Sequence, residues 1–353
     1  MAPAFRLLDP NLIRHRSARI VQAGLFATVL ILASCSAKIP GEGAQAPEAP
    51  STELADQQLD SDTSAMPQSW LVELNRLRAT GGLKPVAENA QLTRDCRAHA
   101  QYLVEQGPPS SAEFVNYERT LGLGAHHEDH KSPHYTAAGA ECAKGGKLTP
   151  GVSQSNDISW GRDPIEDMDG LFYDAPFHRF SMLASWATVA GYGSYGESPR
   201  RAAALSLRGV GGIGSPLIRF PTDGSTVPIG IVHDLEIPDP LMSCPGYVLP
   251  VGLPITLQLG SGYRGNMRSF SVQGPAGALE TCGFDWNSYQ NPDEATQEHA
   301  RDLLKSFGGI ILIPRKALAD GRYTVAVVTT RQNFSWTFTV ANQPPPSMPA
   351  DTE

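Results

Sequence analysis

Four histidines, His126, His127, His130 and His134, fall within nine residues of the stretch GAHHEDHKSPHYTAAGAEC, with Glu128 among them and Glu141 near its end. Farther along stand Glu166 and His178, the latter in APFHRF, directly after a Pro-Phe pair and before Arg179. Imidazole nitrogen and carboxylate oxygen together suit Zn²⁺ or a similar divalent cation, and two His with one or two carboxylates is a familiar ligand count. With His126 and His178 as ligands, Glu166 or Glu128 could act as base for a bound water. The spacing is equally that of a solvated histidine loop, because only a fold can bring residue 126 to residue 178. No cofactor is assigned on this basis; zinc or another divalent cation is the one the donors would suit.

Other chemistries find no support. The chain has no G-x-S-x-G elbow, no phosphate-binding P-loop and no H-E-x-x-H helix. Gly191, Gly193 and Gly196 do form G-x-G-x-x-G, but a helical pattern precedes them and no acidic ribose partner follows in a βαβ unit. They read as a glycine-rich entry to a strand.

Several elements must position the candidate residues. Trp70, Leu71, Leu74 and Leu77 recur at helical spacing before Thr80-Gly81-Gly82 stops the pattern. A second helix starts at the cap Asn89, places Leu92, Cys96, His99 and Leu103 on one face, and ends at Gly107-Pro108-Pro109. His99 thus belongs to a buried stripe, a packing position. A third helical pattern, Pro164 then Ile165, Met168, Leu171 and Phe172, runs into APFHRF. Beyond it, WATVAGYGSYGE and AALSLRGVGG read as short strands broken by glycines.

The ends differ from this globular middle. Arg6, Arg14, Arg16 and Arg19 precede an apolar run from Ile20 to Ser34, too short for a permanent membrane span and suited to a signal peptide. Leu32-Ala33-Ser34-Cys35 resembles a bacterial lipobox, which implies lipid on Cys35 and cleavage before it. Read instead as an ordinary secretory signal in which Cys35 is incidental, the segment still implies an exported chain. Cleavage removes four Arg and one Asp and takes the formal charge from −8 to −11, which argues against nucleic-acid binding. Residues 35–68 lack aromatics and are rich in Ala, Pro, Ser and acidic residues, the composition of a disordered tether spanning about 30 Å. Residues 343–353 read as a disordered tail.

Residues 215–240 are punctuated by Pro and Gly and read as an interdomain linker. After them, over 241–342, ITLQL, YTVAVV and SWTFTV alternate so that every second residue is buried, the pattern of an antiparallel β-sandwich. Four cysteines remain after Cys35, and four allow three disulfide pairings. The domain division favours Cys96 with Cys142 and Cys244 with Cys282. No Cys-x-x-Cys pair points to a zinc site instead.

Three segments in order, LNRLRATGGLKPVAENAQLTRDCRAHAQYLVEQG, AHHEDHKSPHYTAAGAEC, and DPIEDMDGLFYDAPFHRF with GYGSY, resemble the bacterial branch of the CAP superfamily of cysteine-rich secretory proteins, venom antigens and plant pathogenesis-related proteins. The resemblance covers about Trp70 to Gly214, and a CAP domain is assigned to 69–214. It implies an α-β-α sandwich with a cleft lined by two His and two Glu; separately, RFPTDGSTVP with EIPDPL, GLPITLQL, ILIPRKAL with GRYTV, and SWTFTV resemble the Ig-like sandwich that often follows CAP domains in bacterial surface proteins, making an α+β chain. His178 matches the family's Ser-Pro-Gly-His-Arg histidine; Glu166, or alternatively Asp167, its helix glutamate; and His126 or His127, with His126 favoured, its earlier histidine. The family's Gly-Glu-Asn corresponds to Gly139-Ala140-Glu141, so the carboxylate is displaced by one residue; on a strand that turns Glu141 to the opposite face. The expectation is a lipid-anchored protein of the cell envelope, at the outer membrane or cell surface, whose cleft binds an extracellular or envelope ligand without catalysis. The competing reading is a metal-dependent hydrolase acting on peptide or envelope material.

Overall fold

The computed structural model describes residues 69–106, 124–149, 152–160, 163–197, 200–210, 216–234 and 236–342. The leader, Cys35, the tether and the tail lie outside the described residues.

A six-stranded sheet runs β1 (Ala87–Glu88), β5 (Val189–Glu197), β6 (Arg200–Val210), β3 (Val152–Gln154), β2 (Gly146–Thr149), with β4 (Asp157–Ser159) also paired to β6. The hairpin of β5 and β6 is continuous from Val189↔Arg208 to Glu197↔Arg200, longer than the broken strands expected from its glycines. Those glycines serve packing. A Cβ on Gly191 would lie 2.5 Å from the backbone of Leu92, and one on Gly193 2.1 Å from that of Arg97. Helix α2 (Ala90–Gln106), begun by the Asn89 side chain accepting from Leu92 N–H at 3.0 Å, therefore lies directly on the strand.

Strand alternation divides the two faces of the sheet. Ala202 and Ala204 face a small core with Leu92, Cys96, Leu103 and Cys142. Ala203, Leu205 and Leu207 face the larger core with Trp70, Leu74, Met168 and Phe172. That second layer contains α1 (Ser69–Thr80), α4 (Pro164–Asp169) and α5 (Pro176–Met182). Helix α3 (Ala137–Ala143) packs on α2 and carries Cys142, which is bonded to Cys96. The third helical pattern is split: α4 continues into a five-residue wide turn, Gly170–Asp174, and α5 restarts at Pro176, whose ring prevents a continuous helix. Ile165 consequently faces solvent, whereas Met168, Leu171 and Phe172 are buried.

The segment read as a linker is itself built into sheets. It holds β7 (Ile218–Phe220), β8 (Thr226–Val227) and β9 (Ile231–Val232). β9 pairs with β10 (Val251–Gly252). A four-stranded sheet runs β14 (Thr281–Asp285), β15 (Gly309–Pro314), β11 (Ile255–Gln258), β7. A five-stranded one runs β13 (Gly277–Ala278), β12 (Met267–Gly274), β16 (Gly321–Thr329), β17 (Asn333–Val340), β8. β16 and β17 alternate as expected, but all four residues of β11 are buried. The reason is that α5 covers the face that would otherwise meet water: Arg179 reaches Thr256 Oγ1 at 3.4 Å, and Gln258 donates to Phe180 O at 3.5 Å. Helix α6 (Glu294–Phe307) was not foreseen, although Asp293 caps its start and Gly308, at φ 59°, closes it. Cys244 and Cys282 form the second disulfide. One hydrophobic core runs from Trp70 through Phe180 to Phe338, so the two regions share an interior.

Candidate functional site

His126 ends a short 3₁₀ turn, Gly124–His126, at the start of the histidine loop. The loop is pinned from beneath: His99, fully buried on α2, contacts Glu128 Oε1 through Nδ1 at 3.0 Å and Ala125 O through Nε2 at 2.8 Å. Glu128 Oε2 also accepts from Thr136 N–H at 2.9 Å. Glu128 is thus a brace for the loop, and His99 has the packing role its stripe implied.

So held, the loop presents His126 to His178. Their ring centroids are 6.3 Å apart with planes 27° from parallel. Each ring is oriented through its Nδ1. His126 Nδ1 bonds Asn156 Oδ1 at 2.9 Å, and His178 Nδ1 bonds Glu236 Oε2 at 2.6 Å. Since an amide oxygen only accepts, His126 carries its proton on Nδ1 and its Nε2 is a bare acceptor. Burial, reinforced by the charge of His178, lowers the His126 pKa to about 3. His178 goes the other way: burial opposes its charged form, but the Glu236 hydrogen bond and charge, aided by Asp157, outweigh it and raise the pKa. The pair therefore combines a ring held neutral with one whose charged form is favoured.

Two carboxylates flank His178. Glu236 also accepts from Phe177 N–H at 2.6 Å and His178 N–H at 2.9 Å. Asp157, on β4 and 2% exposed, accepts from Ser181 Oγ, whose single proton is shared with His178 O at 2.7 Å. Burial raises the Asp157 pKa to about 6, and His178 pulls it partly back. Ser181 is thus committed to oxygen acceptors and is not paired to an imidazole as a nucleophile.

The two expected glutamates are elsewhere. Glu166 is exposed in the first turn of α4, and its neighbour Asp167 is fully buried, bonded to Arg201, Tyr192 and Ser159 as a structural network. Glu141 lies on a helix, not a strand, so its direction is set by a 100° step from Cys142, which faces Cys96. It pairs with Lys144 and, at 3.2 Å, with Arg208. His127 is exposed, and it is His126 whose ring lies against that of His178. Among the described residues, no three His, Cys, Asp or Glu side chains come together as ligands for one cation. His126 and His178 alone do not supply the three protein ligands a zinc centre uses, and the expected metal role is not carried further.

Asp157 and Glu236 escaped the sequence reading. The only signal for Asp157 was its place in a short polar strand; Glu236 sits in Pro-rich sequence with no local pattern.

Residues 71–206 match the family model of CAP, the cysteine-rich secretory protein family. This stretch is a CAP domain. The expected resemblance holds, together with an α+β architecture that continues into a β-rich region and two disulfides. No curated protein matches the chain. The matched stretch contains His126, Asn156, Asp157 and His178; the match ends before Glu236.

Proposed function

We propose that the chain is an exported, lipid-anchored protein that binds a ligand or an extracellular or envelope partner at the His126–His178 cleft of its CAP domain, without turning it over. The observation that carries this reading is the commitment of both rings: Nδ1 of His126 to Asn156 and Nδ1 of His178 to Glu236, which leaves a fixed donor and acceptor pair. Rigid imidazoles biased toward opposite protonation states favour recognition of a polar group; Ser181 is engaged with Asp157, and among the described residues no three His, Cys, Asp or Glu side chains converge as ligands for one cation. Anchoring rests on the Leu32-Ala33-Ser34-Cys35 motif behind its basic and apolar segments. No helix among the described residues is long and apolar enough to cross a membrane.

The test is to incubate purified protein with fluorescent peptide mixtures and labelled envelope fragments, following both retention and cleavage. Retention that weakens in His178→Ala, with no cleavage in either protein, is expected. Cleavage by the native protein that disappears in His178→Ala would overturn the reading. For the anchor, labelled fatty acid should enter the native chain and not Cys35→Ser.

A further inference from the structure

We infer that Glu236, contributed from outside the CAP domain, is the positioning residue of the cleft, so that the C-terminal region is part of the binding machinery rather than a spacer behind it. This rests on the reading of His126 and His178 as the cleft.

One carboxylate makes three contacts on one helix start. Oε1 takes the Phe177 N–H, and Oε2 takes both the His178 N–H and the His178 ring Nδ1. Local sequence provides no substitute, because the residue at the N-cap of α5 is Ala175, which has no side-chain acceptor. The first N–H groups of a helix need partners from somewhere, and here a residue 58 positions later in the chain supplies them. Glu236 is 7% exposed, and a carboxylate is kept that deep only when its oxygens are engaged.

The placement of Glu236 is set by the C-terminal region. Asp239, three residues on, caps a 3₁₀ turn, Pro240–Ser243, by accepting from Leu241 N–H at 2.7 Å. Tyr289 donates to Asp239 O at 2.8 Å, and the turn leads to Cys244, bonded to Cys282 on β14. From the other side Phe177 packs on Tyr289 and Phe284, with centroids 5.7 and 6.5 Å away. Moving this region moves Glu236.

A bland alternative exists: Glu236 caps α5 and no more. The two differ in what happens to the ring. A positioning role fixes the Nδ1 proton of His178 and favours its charged form, so that Nε2 is the ring nitrogen outside that hydrogen bond. The charged or titratable groups that act on His178 are Glu236 from the C-terminal region, Asp157 from β4 and His126 from the loop, and Glu236 itself feels Arg179 and Asp239.

Glu236→Gln separates the readings, because the amide oxygen can still accept from the backbone while the charge is gone. The measurement is a pH titration of ¹⁵N-histidine-labelled protein by NMR, with the His178 signal identified by its loss in His178→Gln. Removing Glu236 charge should lower the His178 midpoint by about one pH unit or more, a tenfold fall in the charged-to-neutral ratio at fixed pH. The neutral ring should then divide between its two tautomers. An unchanged midpoint and tautomer in folded Glu236→Gln would overturn the proposal.

If that variant fails to fold, Glu236→Asp keeps the charge and loses one methylene of reach; a lowered midpoint supports the proposal and a native titration refutes it. Replacing Cys244 and Cys282 together by Ala should also shift or broaden the His178 signal, and an unaltered signal would refute the dependence on the C-terminal region. None of these measurements needs a ligand, so a cleft that binds nothing tested still leaves the inference standing or falling by itself.

Discussion

Glu128 lies so close against Gly139 that a Cβ on residue 139 would come within 2.0 Å of its Oε1. Gly139 is inside α3, where Ala would ordinarily be the better helix former by about 1 kcal/mol. Here the sign should reverse. Glu128 cannot swing aside without losing His99 and the Thr136 N–H, both of which hold the loop that carries His126. Gly139→Ala is expected to destabilise by roughly 1 to 3 kcal/mol, the usual penalty for overpacking. Urea unfolding checks it, and a stabilised variant would show that the loop brace is dispensable.

Two groups, the half-buried His126 and the buried Asp157, should set the acid limb of stability, in opposite directions. His126 has a folded pKa of about 3 against an ordinary 6.5. The unfolded chain therefore binds the proton first, and stability is lost as pH falls from 6.5 toward 3. Asp157 has a folded pKa of about 6 against 3.8, so the folded state keeps the proton longer, and acidification from 6 to 3.8 stabilises. His178, held above its ordinary value, acts at higher pH. The native acid limb should then be shallow between pH 6 and 4. Asp157→Asn should unmask the His126 contribution, a loss on the order of 3 kcal/mol between pH 6.5 and 4, whereas His126→Gln should make the protein gain stability over the same range. Urea midpoints at several pH values decide this; three parallel profiles would contradict both assignments.

What the sequence made legible follows the range of each interaction. Cys96 and Cys142 lie on helices that touch, and the stripe carrying His99 was plain from spacing of three and four residues. His178 stood out because APFHR is a local pattern at a helix start. Glu141 was misplaced on a strand although Ala137, Ala138, Gly139 and Ala140 contain no β-branched residue, and Thr136 is a capping residue that accepts from Gly139 N–H at 2.9 Å. Helix α6 was legible too, from Asp293, the apolar positions Ala300, Leu303, Leu304 and Phe307, and Gly308, but strand alternation on either side drew attention away. Glu236 was not legible by any local rule. Its partners are 58 and 59 residues away in sequence, and Pro238 and Pro240 beside it carry the signature of a connection.

Arg179 should be irreplaceable even by lysine. It is fully buried and donates to Phe172 O at 2.5 Å, Tyr173 O at 2.9 Å and Pro254 O at 2.7 Å, while its guanidinium lies 4.1 Å from the centre of the Phe220 ring. A lysine ammonium, a point donor on a flexible stem, cannot reach three carbonyls in different directions or stack on the ring. Arg179→Lys is expected to cost about 3 kcal/mol, because it leaves buried carbonyls unpaired around a poorly satisfied charge. A shift in guanidinium midpoint equivalent to less than about 0.5 kcal/mol would show that the planar fork is not what is needed.

The CAP domain produced alone, as residues 69–214, should not reach a stable native state. Much of the buried surface of its α5 lies against the C-terminal region: Phe177 on Phe284 and Tyr289, Phe180 on Phe307 at 5.8 Å, and Arg179 on Pro254. Phe180 also needs the space left by Gly309, where a Cβ would sit 2.8 Å from its ring. Phe172 and Tyr173 both pack on Phe220, which the shorter chain lacks. Exposing four aromatic side chains costs roughly 1.5 to 3 kcal/mol each if the contacts are fully lost. The total, about 6 to 12 kcal/mol, rivals the stability of an ordinary domain, about 5 to 15 kcal/mol. The fragment is expected to lose its near-ultraviolet circular dichroism, bind a hydrophobic dye and unfold without a cooperative transition. A soluble fragment that unfolds cooperatively with the native signal would show that the two regions are independent after all, and that Glu236 reaches into a site the CAP domain can build without it.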